Sequence, residues 1–118
     1  MEQIDAIRAF SALAQPTRLD TFRLLVTHEP NGLPAGEIAR QLGVPQNTMS
    51  SHLALLATAG LVTSERQSRS IIYRASLDQL QALTMFLLTD CCQGRPEICM
   101  PVVADLKRCC APKESRRA

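Results

Sequence analysis

The amino-acid sequence predicts a mainly α-helical fold with one small β-hairpin, and three observations support this. The chain has 118 residues, which fits one domain. It has no tryptophan and only 3% aromatic residues, so an aliphatic core is expected, which suits packed helices better than a β-sandwich. Apolar residues recur at helical spacing along much of the chain, while residues 62–75 hold two short β-branched segments.

Two helices are expected at the N-terminus. The first has apolar residues at helical spacing, namely Ile4, Ile7, Phe10 and Leu13. Pro16 stands where prolines commonly begin a new helix. The second helix should end before the cluster of turn-forming residues at 28–32.

The next two helices predict a helix-turn-helix. A short amphipathic helix from Ala35 should end at Gly43, because glycine readily adopts the left-handed conformation of a helix C-cap. Pro45 begins a fourth helix that Gly60 terminates. Its buried face is predicted to carry Met49, Leu53 and Leu56. A turn of about three residues separates the two helices.

A wing is expected directly after the helix-turn-helix. Residues 62–66 and 71–75 are predicted strands, and residues 67–70 join them as a hairpin. The predicted architecture is therefore a winged helix-turn-helix.

A long fifth helix should begin at the capping box of Ser76 and Gln79. Its apolar face consists of Leu77, Leu80, Leu83, Leu87 and Leu88. This face exceeds what a small winged domain covers, so together with the first helix it is the candidate dimer surface. The alternative is that these leucines are core within one chain. After a break at Gly94 and Pro96, a short helix is expected near residues 102–106.

No segment approaches the roughly 18 apolar residues that a membrane span needs, and the first residues do not have the pattern of a signal peptide. We expect a cytoplasmic protein with no membrane partner.

The exposed side of the fourth helix predicts contact with double-stranded DNA. Its short polar side chains can approach base edges in a major groove. They are Gln46, Asn47, Thr48, Ser50 and Ser51. His52 borders the buried face, where it either packs or touches a phosphate. The alternative for the polar face is an ordinary solvated helix surface.

The affinity for phosphate should come from the hairpin, because residues 46–59 contain no lysine or arginine. Arg66, Arg69 and Arg74 stand there beside a single glutamate and can follow the DNA backbone. One helix of this size reads few base pairs, so we expect a homodimer on a palindromic operator.

The five cysteines all lie from residue 91 onward. Cys91 and Cys92 follow the fifth helix, and Cys99 comes after the break, so three sulfur ligands can reach one centre. Three thiolates suit As(III) or Sb(III). The second pair, Cys109 and Cys110, has no role that the pattern assigns.

Other functions for the cysteines fit less well. Structural zinc usually takes four ligands in separated pairs, a spacing that is missing here. We predict no enzyme, because His28 and His52 both lie far from the cysteines in sequence. The alternatives left open are the same fold sensing Cd, Pb, Zn or a trivalent organoarsenical, and a thiol metal carrier that binds no DNA.

Four short segments resemble the ArsR/SmtB family of metal-responsive bacterial repressors. They are LAQPTRL at 13–19, EIA at 37–39, SHL at 51–53 and GLV at 60–62, within a resemblance that spans residues 9–75. The resemblance implies a winged-helix dimer joined by its first and last helices. It also implies a repressor that occupies its operator without metal and leaves it when metal binds.

The cysteine positions refine this resemblance. Many arsenic sensors of the family carry paired cysteines at the start of the helix-turn-helix, but residues 37–42 contain none. Another subset has a vicinal pair and one later cysteine after the last long helix, which Cys91, Cys92 and Cys99 resemble. This similarity implies an arsenic-resistance repressor induced by As(III) or Sb(III). We divide the chain into residues 1–92, for DNA binding and dimerisation, and residues 93–118, a cysteine-containing sensor tail.

Overall fold

The computed structural model describes residues 1–91 and 95–109, and the chain divides into two units, Met1–Leu83 and Thr84–Ala118. The elements of the first unit are α1 (Gln3–Leu13), α2 (Pro16–Thr27), β1 (Leu33–Pro34), α3 (Ala35–Leu42), α4 (Gln46–Thr58), β2 (Val62–Gln67), β3 (Ser70–Ala75) and most of α5 (Leu77–Met85). In the second unit a π-helical segment (Phe86–Cys91) continues α5, and α6 (Pro96–Cys109) follows. The predicted fold class, a mainly α winged helix-turn-helix, is confirmed. The helices of the described ranges include none that could span a membrane.

The helix ends follow from local sequence. Pro16 is the first residue of α2, and the Gln15 side chain caps that helix by accepting a hydrogen bond from the Arg18 amide at 2.8 Å. Gly43 ends α3 with a φ of 67°, the left-handed conformation expected of it. Pro45 is the N-cap of α4.

The core of the first unit lies between α2, α3, α4 and the sheet. Its largest fully buried apolar side chains are Leu25, Ile38, Met49, Leu53, Leu56 and Leu61. The helix α1 packs through alanines at positions 6, 9 and 12, while Ile4 and Ile7 remain 63% and 53% exposed. The bulky apolar residues of α1 therefore face away from this core.

The three strands form an antiparallel sheet in the order β1–β3–β2. The strand β1 was not predicted from the sequence, because two residues ending in a proline do not form a recognisable strand pattern. Gly32, with a φ of 75°, lets the chain approach β3 there, since a Cβ at this position would lie 2.5 Å from the Tyr73 carbonyl oxygen.

The wing is longer by one residue in each strand than the sequence predicts. Gln67 pairs with Ser70, so the tip is the two-residue turn of Ser68 and Arg69. Ser68 has a φ of 58°, a conformation in which a glycine is more usual. A tight hairpin thus forms without the glycine that is common at this turn.

The capping box predicted for α5 is only half formed. The Gln79 amide donates to Ser76 Oγ at 3.2 Å, but the Gln79 side chain donates instead to the Ala59 carbonyl at 3.0 Å. The Ser76 amide donates to the Leu61 carbonyl at 2.8 Å. The start of α5 is therefore bonded to the chain that follows α4.

The second unit departs from expectation in two helices. The α5 pattern ends at Met85 and becomes π-helical, and the Thr89 hydroxyl donates to the Met85 carbonyl at 2.6 Å. An α-helix would offer that carbonyl to the Thr89 amide, so the side chain competes with the α-helical bond. The last helix starts at Pro96 and continues through Pro101, so the expectation of a short helix near 102–106 was wrong in length.

Candidate nucleic-acid interface and cysteine site

The polar residues proposed to read DNA share the outer face of α4. Met49, Leu53 and Leu56 are all fully buried and fix the orientation of the helix. All of the predicted reading residues except His52 are exposed, namely Gln46, Asn47, Thr48, Ser50 and Ser51. The helix thus presents a continuous polar surface of short side chains.

Two of these side chains are partly held in place. Asn47 Oδ1 accepts a hydrogen bond from the Thr48 amide at 2.9 Å. Ser51 Oγ donates back to the Asn47 carbonyl at 3.4 Å. The remaining polar side chains of this face are exposed to solvent in the N-terminal half of α4.

The preceding helix α3 carries an ion pair on its surface. The Glu37 carboxylate accepts hydrogen bonds from the Arg40 guanidinium and from Gln41 Nε2. These bonds, that to Arg40 foremost, lower the pKa of Glu37 from 4.5 to about 2. The pair stabilises a helix of eight residues that positions α4.

His52 lies at the edge of the reading face and is half-buried. Its Nδ1 lies 3.4 Å from Nη1 of Arg18, while Arg18 Nε donates to the Ala12 carbonyl at 2.7 Å. A guanidinium can only donate, so Nδ1 is the acceptor and the proton of a neutral ring is on Nε2. The sequence suggested that His52 borders the buried face, but it gave no indication that His52 contacts Arg18, which is 34 residues away.

The wing arginines are in two different environments. Arg66 and Arg69 are exposed, and neither has a carboxylate within 4.0 Å among the described residues. Arg74 lies at the other end of β3, where its Nη2 is 2.9 Å from Glu29 Oε1. The hydrogen bond and charge of Glu29 raise the pKa of Arg74. Its positive charge is therefore already compensated within the protein.

The described part of the cysteine site is small. Cys91 is the last residue of the π-helical segment, but its side chain and the whole of Cys92 lie outside the described residues. Cys99 is half-buried in the first turns of α6, and its thiol donates to the Leu88 carbonyl at 2.7 Å. Among the described residues, no three His, Cys, Asp or Glu side chains form a metal-binding group.

Comparisons with known proteins agree with this architecture. A sequence profile of the helix-turn-helix domain family matches residues 13–65. The transcriptional activator HlyU of Vibrio cholerae is 30% identical over 89 residues, which cover 75% of this chain and 80% of HlyU. The transcriptional repressor SmtB of Mycobacterium tuberculosis is 36% identical over 63 residues, which are 53% of this chain and only 44% of SmtB. The chain thus spans less than half the length of that relative.

A solved structure gives the same result. A homodimeric winged helix-turn-helix DNA-binding domain from Mycobacterium bovis, described as a possible ArsR-family regulator, superposes with a TM-score of 0.61. The two share 25% identity over 73% of this chain and 78% of that one. Fold and reading face define a winged helix-turn-helix DNA-binding protein. The chain belongs to the ArsR/SmtB family of helix-turn-helix transcriptional regulators, and the prediction of a DNA-binding regulator rather than an enzyme is confirmed.

Proposed function

We propose that the protein represses an arsenic-resistance operon and is released from its operator when As(III) or Sb(III) binds Cys91, Cys92 and Cys99. The observation that supports this most directly is the 2.7 Å hydrogen bond from the Cys99 thiol to the Leu88 carbonyl. Leu88 precedes Cys91 by three residues on the same helical segment, a distance along the axis on the order of 5 Å. Cys99 is therefore folded back toward the end of the helix at which Cys91 stands.

The chemistry suits a trivalent metalloid. Arsenite in water is arsenic trihydroxide, and each thiol that binds forms one As–S bond while one As–OH bond breaks. The thiol proton leaves with that hydroxyl as water, so three thiols release three waters and no oxidant is needed. Cys99 must give up its hydrogen bond to Leu88 in this step. Soft thiolates are the ligands that such an ion prefers.

We infer a homodimer on double-stranded operator DNA. The exposed apolar residues of α1 and the partly exposed leucines of α5 would make its interface, with Ile4, Ile7 and Leu77 as the most exposed members. The homodimeric M. bovis domain is consistent with this assembly. Residues 1–92 would bind DNA and dimerise, while residues 93–118 would complete the sensor. The site of action would be the reducing cytoplasm, where thiols remain available.

The route from sensor to DNA would run through α5. Gln79, one turn into that helix, donates to the carbonyl of Ala59 at the C-terminal end of α4. A change in the position of α5 therefore acts on the helix that carries the reading face. A hundredfold loss of DNA affinity needs about 2.7 kcal/mol of coupling, well below the roughly 10 kcal/mol that thiolate clusters can supply on binding a soft ion.

The decisive experiment is fluorescence-anisotropy binding to DNA upstream of the chain's own gene, with and without As(III). The variants are C91S, C92S and C99S, and C109S/C110S is the matched control that removes two thiols outside the triad. Release by As(III) in the wild type and the control, but in none of the triad variants, supports the proposal. Release that persists in C91S contradicts the proposed site.

The number of thiols consumed per inducer separates the remaining inducers. Three thiols per As(III) are expected, while a trivalent organoarsenical would consume two. If Cd, Pb or Zn released the DNA and As(III) did not, the protein would still be a metal-responsive repressor, but with another inducer. A thiol metal carrier would bind metal and show no salt-dependent DNA binding.

A further inference from the structure

The described residues contain more positive charge near α4 than the sequence suggests. The wing provides Arg66 and Arg69, while Arg74 is paired with Glu29. The helix α4 itself contributes no lysine or arginine. Two other arginines, Arg8 on α1 and Arg18 on α2, lie where these helices pack against α4.

Arg18 is held in a fixed position. Its Nε donates to the Ala12 carbonyl at 2.7 Å, close to the end of α1, and its Nη1 faces Nδ1 of His52 at 3.4 Å. One half-buried side chain thus connects α1, α2 and α4. The planar guanidinium retains further N–H donors beyond these two contacts.

The two side-chain contacts of Arg18 are to a backbone carbonyl and to an imidazole nitrogen. Within the ranges 1–91 and 95–109, no carboxylate lies within 4.0 Å of it, whereas four other arginines have such a partner. A half-buried guanidinium without a counter-charge is costly to maintain unless an anion completes the site. Its planar fork of donors matches the oxygens of a phosphate.

A cavity of about 220 Å³ opens beside this guanidinium. Its lining consists of Arg8, Ser11, Ala12, Arg18, Leu55 and Thr58. Leu55 and Thr58 follow Ser51 by four and seven residues, so they lie on the same side of α4 as that reading residue. The cavity therefore continues the surface that DNA would contact and adds two guanidinium groups to it.

We propose that Arg18 and Arg8 each bind a phosphodiester group of the DNA backbone, and that Arg18 also orients His52 so that Nε2–H points away from the guanidinium and toward DNA. The inference rests on the proposed binding of this chain to DNA, but it is independent of the inducer. It assigns part of the backbone contact to the junction of α1, α2 and α4, which lies outside the wing.

The test is the salt dependence of DNA binding, measured on the full chain by fluorescence anisotropy with the upstream duplex and with a scrambled duplex of equal length. The variants are R18Q and R8Q. The control is R23Q, which removes one charge from α2 at an exposed residue that lines a different cavity. Thermal unfolding of each variant checks the fold, and R8Q, exposed at the surface, keeps the test valid if R18Q does not fold.

Removal of one phosphate contact should flatten the slope of log Kobs against log salt by about 0.9 per protomer. For equal affinities at 1 M salt, the variant would then bind about eightfold more weakly than the wild type at 0.1 M salt. R18Q and R8Q should both show this with either duplex, because a phosphate contact does not depend on sequence. R23Q should keep the wild-type slope.

Three results would overturn the proposal. If R18Q and R8Q fold and show the same slope as R23Q, Arg18 and Arg8 do not contact the DNA backbone. DNA binding by the wing and α4 would still stand. A wild-type protein that binds neither duplex would overturn the proposed function as well. In the third result, inorganic phosphate raises the melting temperature of the wild type but not of R18Q, and all variants have the same DNA-binding slope. This would identify free phosphate, and not DNA, as the ligand of the site.

Discussion

Arg74 and Glu29, 45 residues apart, form an ion pair with 2.9 Å between Nη2 and Oε1. Glu29 stands in the turn after α2 and its side chain is only 15% exposed, while Arg74 belongs to the base of the wing. Among the residues that the structure describes, Glu29 Oε2 and Arg74 Nε are both buried without a hydrogen-bond partner, so a single contact connects the two groups. The orientation of the wing base thus depends on a residue outside the wing.

Replacing Glu29 tests this dependence. Glu29→Gln should lower the melting temperature by several degrees, because Arg74 would then lack a counter-charge in a partly buried position. Circular dichroism during heating gives the measurement. The control is D20N, which removes one negative charge at an exposed residue of α2 and should leave the melting temperature unchanged. Equal melting temperatures for the two variants would show that the ion pair does not stabilise the fold.

Gly32 allows a second prediction about the same turn. Gly32→Ala should destabilise the protein by about 2 kcal/mol or more, because the φ of 75° is unfavourable for alanine and its Cβ would meet the Tyr73 carbonyl and Arg74 Cγ. Urea unfolding measures the decrease in stability.

Gly36 provides the control for that substitution. It lies inside α3, where a Cβ would make ordinary contact with Gln46 at 3.6 Å. Gly36→Ala should be neutral or stabilise the protein by up to about 1 kcal/mol through helix propensity. The idea would be wrong if both alanine variants were destabilised to a similar degree.

The bond between α5 and α4 makes a third prediction. Gln79→Ala should reduce the free energy of unfolding by about 1 kcal/mol, because the Ala59 carbonyl loses its donor. Gln81→Ala, at an exposed position of the same helix, is the control and should change little. If the proposed route to α4 is right, the As(III)-induced loss of DNA affinity should also shrink in the Gln79 variant alone.

The lowered pKa of Glu37 predicts a pH dependence. Its folded-state pKa of about 2 is below the ordinary 4.5, so its contribution to stability is complete above 4.5 and is lost as the pH falls toward 2. The stability difference between wild type and E37Q should therefore shrink over that range. Urea unfolding at several pH values between about 5 and 3 measures it.

Arg40 supplies the complementary variant for the acid titration. R40Q removes the main cause of the low pKa, so it should weaken the acid-range dependence in the same way as E37Q. The double variant should then add little to either single change. Full additivity would mean that the two side chains act independently.

The sequence predicts those parts of the fold that depend on local chemistry. Pro16, Gly43 and the buried stripe from Met49 to Leu56 act over a few residues, so helix bounds and faces could be predicted. The strand β1 and the ion pair of Glu29 with Arg74 arise only when distant segments meet. No periodicity encodes such contacts.

The candidate sites divide in the same way. The reading residues of α4 could be selected because helical geometry alone places them on one face. Arg18 could not be selected, since its significance comes from the Ala12 carbonyl and His52 in three-dimensional contact. For the cysteine triad, Cys99 alone has a described side chain, and the three-thiol centre stays a prediction.

The π-helical segment at 86–91 has a geometric consequence for the chain that leaves it. An α-helix turns by about 100° per residue, and a π-type turn contains one residue more for each hydrogen-bonded ring. Conversion of one such turn to α-helix would rotate the exit point of the chain by roughly a quarter of a revolution while the number of residues stayed the same. The direction in which the chain leaves the segment therefore depends on whether each amide donates to the carbonyl four or five residues before it.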